Sequence, residues 1–406
     1  MKVAGIIVEY NPLHNGHLLH IHKTRELTGC DAVVAVMSGG FTQRGEPAAF
    51  SKWARAEMAL RCGCDLVIEL PSVYVVQPAE WFAYGAVSLL EATGVVDQLV
   101  FGSEAGSLLH LNALADLLTD ERPEFRQRLQ DALKEGLSYP AAVSQAAGAA
   151  ESISSEAAAM LSEPNNTLGL QYLIALRRLN SSIVPGTIQR EKSHYHDPQP
   201  VHEQIASATA IRNLLMEQPD RAAAYMPAEV MRIIHNETES GRGPAHINDL
   251  WQPLLQTIAT ATPARLADYY DMNEGLEHRL LSKLTSLTDC SVTGLLDSLK
   301  TRRYTYARLQ RLIAHLLLGH RRTELTEATL QDGPGYLRVL GFTEHGRQLL
   351  KLMKKTSTLP VITRPADTDH PHMEMDIRAT VMQASAFASQ DARQLYSDYY
   401  RAPIRV

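Results

Sequence analysis

Apolar residues fall in short, nearly continuous runs through the first quarter of the chain, at 3–8, 32–37, 66–70 and 98–101. Runs that are apolar on both faces read as strands of a parallel sheet covered by helices on both sides. Between them, segments at 17–28, 51–61 and 79–91 have helical spacing, and each is long enough to return the chain for a parallel partner. The pattern predicts an α/β fold, a Rossmann-like parallel sheet wound with crossover helices. Residues 107–179 read as a helical insertion, which includes FRQRLQDALKEG and an Ala-rich run over 141–159. SSIVPGTIQRE at 181–191 predicts one more strand of the same sheet. The first domain is therefore expected to span 1–217. Beyond it the spacing is helical nearly throughout, broken at GRGP (241–244) and DGPG (332–335), so 218–406 is expected to form a mainly α-helical accessory domain.

Length agrees with that division: 406 residues exceed the roughly 100–200 of a single domain. Lys and Arg number 39 against 45 Asp and Glu, and a formal net charge of −6 excludes nucleic-acid binding by overall charge while allowing a local basic patch. The apolar share of 45% and charged share of 21% exclude a disordered class. No stretch of about 18 apolar residues occurs, and the opening MKVAGIIVEYNP lacks the apolar region and cleavage site of a secretory signal. Four cysteines, Cys30, Cys62, Cys64 and Cys290, are too few for a disulfide scaffold. A cytoplasmic location is expected, with no membrane and no obligate protein partner.

The strongest chemical signal is EYNPLHNGHLLHIHKT, which follows the first strand and opens a helix. His14, Gly16 and His17 form an H-x-G-H turn, where unpaired backbone N–H groups and the positive end of the helix dipole converge on an anion. Two imidazoles can donate hydrogen bonds to phosphoryl oxygens as charge builds in a transition state. A nucleoside triphosphate is the expected ligand; chance and metal binding are the blander alternatives. A second constellation, IASATAIR at 205–212, sets Ser207 and Thr209 before a helix with Arg212 behind them. It reads either as a second phosphate contact or as a plain helix cap with a solvated Arg. No Walker A sequence occurs. Cys62-Gly63-Cys64 is too closely spaced for the usual metal pair and reads as packing. His194 and His196 with Asp197 read as a loop edge near the nucleotide rather than as metal ligands.

The H-x-G-H turn and the segment around Arg212 resemble the nucleotidyltransferase superfamily that includes class I aminoacyl-tRNA synthetases. This chain departs from the second motif at Ala206 and Ala208. The resemblance is closer to one family: GIIVEYNPLHNGH, VAVMSGGFTQRGEPA, SKWARAEMAL, DLVIELP, FGSE, PNNTLGLQYL, IQRE…YHD and KTRRYTYARLQRL are together similar to the bacterial tRNA(Met) cytidine acetate ligases. That resemblance implies a two-step reaction. Acetate and ATP give acetyl-adenylate and pyrophosphate, and the acetyl group then passes to the N4 amine of the wobble cytidine in the anticodon loop of elongator tRNA(Met), forming N4-acetylcytidine. It implies ATP as co-substrate; Mg2+ is expected with the triphosphate, as in phosphoryl chemistry generally, and no dedicated cage of carboxylates is visible.

Carried over by position, the implied ATP site comprises Ile7, Val8, Glu9, Tyr10, Asn11, Pro12, Leu13, His14, Asn15, Gly16, His17, Leu18, Leu19 and His20, then Gly102, Asn165, Arg190, Ser207, Thr209 and Arg212. His14, His17 and Lys52 are the expected catalytic residues. The Gly-rich loop over 37–55 is expected to close on ATP and acetate, using Ser38, Gly39, Gln43, Arg44, Lys52 and Arg55. For the RNA, 300–322 holds seven Lys and Arg with no acid and interleaves Tyr304 and Tyr306. Arg302, Arg303, Tyr304, Arg308 and Arg311 are the expected grip on the anticodon loop. Leu309, Leu312, Ile313 and Leu316 equally mark an amphipathic helix. The alternatives are an adenylyltransferase for a small metabolite and an RNA-binding protein with a relic nucleotide fold.

Overall fold

In a computed structural model of the chain, the described residues are 1–119, 123–135, 137, 139–148, 160–190, 206–301 and 303–406. Expectations for the second part of the Ala-rich run, for His194, His196 and Asp197, and for Arg302 lie outside them. The apolar runs form the strands they predict: β1 (Val3–Val8), β2 (Ala32–Ser38), β3 (Leu66–Leu70) and β4 (Gln98–Ser103), with β5 (Val184–Gln189) after the insertion. All five pair in parallel in the order β5-β4-β1-β2-β3. Both faces are buried because alternate residues serve opposite cores. On β2, Val34 and Val36 pack to one side and Val33 and Ala35 to the other.

The principal helices are α1 (Asn15–Thr28), α2 (Lys52–Arg61), α3 (Ala79–Thr93), α4 (Leu108–Thr119), α5 (Pro164–Arg178), α6 (Ala208–Glu217), α7 (Ala228–Glu239), α8 (Tyr306–Leu318), α9 (Glu344–Thr356) and α10 (Pro371–Ala384). The described residues of 107–179 are mostly helical.

The expected separation at 217 and 218 is corrected by the sheet itself. Residues after 218 are mostly helical, but β6 (Leu337–Phe342) pairs antiparallel with β3, and β7 (Val361–Ile362) and β8 (Ile404–Arg405) pair with β6. One eight-stranded sheet therefore draws strands from both parts. A hydrophobic core also crosses the boundary, joining Val34 and Leu90 to Leu254, Leu295, Leu309 and Leu349.

From β1 the chain builds β2 and β3 on one side, then returns to set β4 and β5 on the other. The crevice between β1 and β4, at their carboxyl ends, is the topological switch point at which open α/β sheets bind ligands. No helix among the described residues is long and apolar enough to cross a membrane.

Candidate active site

A cavity of about 700 Å3 opens at this switch point, within the roughly 300–1,000 Å3 of small-ligand clefts. Its floor is the turn after β1. Tyr10 turns the chain there in a left-handed conformation (φ 48°) and is fully buried, with its hydroxyl 3.7 Å from Cys64 Sγ and its ring edge-on to His17. His14 then caps α1: its Nδ1 accepts from Gly16 N at 3.1 Å, and His17 Nδ1 accepts in turn from His14 N at 3.3 Å. The two rings stack with centroids 3.8 Å apart.

This reciprocal cap fixes the chemistry of both imidazoles. A ring nitrogen that accepts from a backbone N–H carries no proton, so each neutral ring is protonated on Nε2 and has a donor left to offer. Burial, with Arg190 and Arg212 nearby, holds His14 down to about 3. Burial and then His14 hold His17 well below the ordinary histidine value, and burial and Arg190 bring His20 to about 4. At neutral pH the histidines are uncharged donors, suited to stabilising phosphoryl oxygens.

The walls come from four further segments. Gly102 on β4 leaves room for Arg190, whose Cγ would stand 3.2 Å from a Cβ added there. Asn165, at the start of α5, gives its amide to Glu104 at 2.6 Å; the same carboxylate accepts from Asn166 N at 2.8 Å and so caps the helix. Ser207 caps α6 by accepting from Ala210 N at 3.1 Å, and Arg212 reaches from α6 to Asn11 O at 3.1 Å and Glu46 Oε2 at 3.4 Å. The helix cap expected at 205–212 is thus formed, and Arg212 stands on the cavity wall bonded to Asn11 and Glu46 rather than solvated.

The tip of the Gly-rich loop reaches the cavity with Thr42, Gln43, Arg44 and Glu46. Its base does not, and the expectations for Lys52, Ser38, Gly39 and Arg55 are corrected. Lys52 is 1% exposed and bonds Glu69 and Asp398, each at 2.7 Å, in a buried network with Arg338. Arg55 is fully buried and donates to the carbonyls of Glu9, Gly39 and Phe50 and to Ser38 Oγ. These cations stitch the loop base together because the loop folds back through the Phe41–Pro47 bridge and leaves only its tip at the cavity.

Within the first turn, Ile7, Val8, Glu9, Tyr10, Asn11, His14, Gly16, His17, Leu19 and His20 line the cavity. Pro12, Leu13, Asn15 and Leu18 do not. Pro12 and Leu13 are buried, Leu18 packs into the core beneath α1, and Asn15 donates to Ala224 O at 3.2 Å.

The basic segment also differs from its expectation. Acids some 30 residues upstream pair with it: Arg303 meets Glu274 at 2.9 Å, and Arg308 meets Asp271 at 3.3 Å and Glu274 at 3.6 Å. Tyr304 is only 7% exposed, with its hydroxyl on Glu274 O. Neither Arg303, Tyr304, Arg308 nor the half-buried Arg311 lines the cavity. Tyr306, Ala307 and Gln310 on α8 do line it, on the face opposite Leu309, Leu312 and Leu316. Sequence reasoning missed Ala307 and Gln310 as site residues, along with Lys23, Glu46, Tyr172 and Gln189. Only their polar character at a helical face could have marked Gln310. Four cations, Lys23, Arg44, Arg190 and Arg212, stand in the cavity against two acids, Glu9 and Glu46.

The chain matches the HIGH Nucleotidyl Transferase family over residues 1–398. A protein of Caldanaerobacter subterraneus subsp. tengcongensis named tRNA(Met) cytidine acetate ligase is 41% identical over 396 residues, covering 95% of this chain and 96% of that one. One of the same name from Halalkalibacterium halodurans is 39% identical, covering 100% and 98%. The solved structure of apo Thermotoga maritima TmcAL superposes with a TM-score of 0.93 at 35% identity over the full length of both chains. A form of that protein bound to alpha-thio ATP superposes with a TM-score of 0.91. With relatives of one name matching its whole length and the H-x-G-H turn at the switch point of its sheet, the chain belongs to the tRNA(Met) cytidine acetate ligase family of HIGH nucleotidyl transferases.

Proposed function

We infer that this chain is an ATP-dependent acetate ligase that forms acetyl-adenylate and transfers its acetyl group to the N4 amine of the wobble cytidine of elongator tRNA(Met). The observation that carries the inference is a cavity at the switch point that joins two neutral imidazole donors to four cations, in a chain of this family. The cations match the triphosphate, and Nε2 of His14 and His17 supply donors as the bond to pyrophosphate breaks. The acetate carboxylate is itself the nucleophile and is ionised at neutral pH. The first step therefore needs positioning and charge stabilisation, with no general base.

Among the described residues no group of three or more His, Cys, Asp or Glu could hold a metal ion. Mg2+ accompanying ATP would be held mainly by phosphate oxygens and water, with Glu9 and Glu46 as the nearby acids, and would neutralise phosphate charge. The proposed tRNA contacts remain Arg303, Arg308 and Arg311; Arg303 pairs with Glu274 yet keeps two-thirds of its side chain exposed, and Arg308 pairs with Asp271 and Glu274. The reading is tested by incubating the protein with ATP, labelled acetate and total bacterial tRNA. Label is expected in a single tRNA species; ATP use without acetate, and no label in tRNA, would instead favour an adenylyltransferase for a small metabolite.

A further inference from the structure

Two carboxylates stand in a cavity otherwise furnished for anions. Glu46 is engaged on both oxygens: Oε2 faces Arg212 at 3.4 Å, and Oε1 accepts from Gln310 Nε2 at 3.0 Å. Glu9 is placed differently. It is the first residue beyond β1, at the switch point, and its Oε1 accepts from Gln43 N at 2.6 Å, which fixes the carboxylate against the tip of the Gly-rich loop. The charged and titratable groups that act on it come from every neighbouring element: Arg55 on α2, Arg44 on the loop, Arg212 on α6 and the phenol of Tyr172 on α5. Burial nevertheless raises its carboxyl above the ordinary range, against the Gln43 hydrogen bond and the three arginines.

A carboxylate in this position repels triphosphate and acetate themselves, so apart from standing near any Mg2+ that accompanies ATP it does not help to hold them by charge. It attracts a donor, and one reactant of the second step has to surrender a proton. The cytosine amine is a weak nucleophile because its lone pair is delocalised into the ring; on bonding to carbon it becomes acidic and needs an acceptor. We propose that Glu9 is that acceptor. As N4 bonds to the acetyl carbonyl carbon and the bond from that carbon to the AMP oxygen breaks, the electron pair leaves with AMP. One N4 proton passes to the Glu9 carboxylate, which later gives it to water. Rigid support from the Gln43 N–H and a raised proton affinity both suit a general base. This assignment rests on the acetyl-transfer reading above.

The test separates the two chemical steps. Glu9→Gln keeps an oxygen for Gln43 N and removes the proton acceptor. When enzyme carrying preformed acetyl-adenylate is mixed with tRNA in a single turnover, the variant is expected to transfer acetyl about 10²-fold more slowly or worse. Acetate-dependent pyrophosphate exchange should fall by at most about a tenth of that factor. The acid limb of the wild-type transfer rate should flatten in Glu9→Gln and return, shifted, in Glu9→Asp, which retains a base and guards against a variant that fails to fold. Equal losses in exchange and transfer, recovery of Glu9→Gln by excess Mg2+, or transfer at the wild-type rate would overturn the assignment. A wild-type protein that forms acetyl-adenylate yet transfers none to tRNA would overturn the ligase reading itself, a distinct outcome seen before any variant is made.

Discussion

His14 holds two jobs on two ring atoms. Its Nδ1 caps α1 through Gly16 N, and its Nε2–H is the donor available to a phosphate. Asparagine keeps a capping acceptor, but its amide N–H2 stops short of the position of Nε2. His14→Asn is thus expected to reduce acetate-dependent pyrophosphate exchange about 10²–10³-fold, the usual cost of one transition-state donor, with the thermal midpoint nearly unchanged. His14→Ala should lose the same activity and about 1 kcal/mol of stability besides. Thermal melts beside exchange assays check this, and equal instability in both variants would mean that the ring is structural. At this scale the sequence was informative wherever residue type and spacing carry the chemistry, as in H-x-G-H. It was silent where a role depends on what lies opposite. Lys52 and Gln43 are both polar residues of one loop, yet Lys52 faces Glu69 and Asp398 in the interior while Gln43 supports Glu9 at the cavity.

Among the elements, the seam between the Gly-rich loop and α8 closes the cavity. Gly45, at φ +87°, lies so close to α8 that an added Cβ would stand 2.6 Å from Gln310 O. Neither that conformation nor that approach suits a side chain. Gly45→Ala is expected to push the loop tip off α8, raising KM for ATP and acetate several-fold as well as lowering stability. Gly29 gives the contrast: it ends α1 at φ +61° with nothing within 4 Å of an added Cβ. Gly29→Ala should cost about 1 kcal/mol of left-handed strain and leave both KM values alone, so steady-state exchange kinetics on the pair distinguish seam from strain. The elements themselves were legible unevenly. Strands β1 to β5 announce themselves as apolar runs bounded by turns. LRVLGF at β6 carries the same signal but sits among helices, and β7 and β8 are two residues each, too short for any periodicity. Their pairing is a property of the finished sheet.

At the scale of the molecule, the buried network of Lys52, Glu69, Arg338 and Asp398 ties β3 and α2 to β6 and the carboxyl-terminal segment. Composition revealed the length and the charge balance but not that the later half completes the earlier sheet. One consequence is a chain with many buried histidines on both sides of that join. Burial holds His20 and His372 to about 4 and His14 and His320 to about 3, and pushes His17 and His315 well below the ordinary value. In the unfolded chain the same six groups titrate near about 6.5. Between these limits the unfolded state binds more protons, so unfolding free energy falls as the pH drops below about 6.5, and the contribution is complete only above it. Glu9 and Asp376, whose carboxyls burial raises, oppose the trend as two groups against six. Asp398, held low by Lys52 and Arg338 against the effect of burial, adds to the loss only near and below the ordinary carboxylate range. Urea unfolding at pH 7.5, 6.5, 5.5 and 4.5 should therefore show a steadily falling midpoint, worth several kcal/mol across the series at up to about 1.4 kcal/mol per pH unit per unbalanced group. A midpoint that stays level or rises on acidification would mean that the histidines take up protons in the folded state, and the neutral-donor chemistry assigned to His14 and His17 would fall with it.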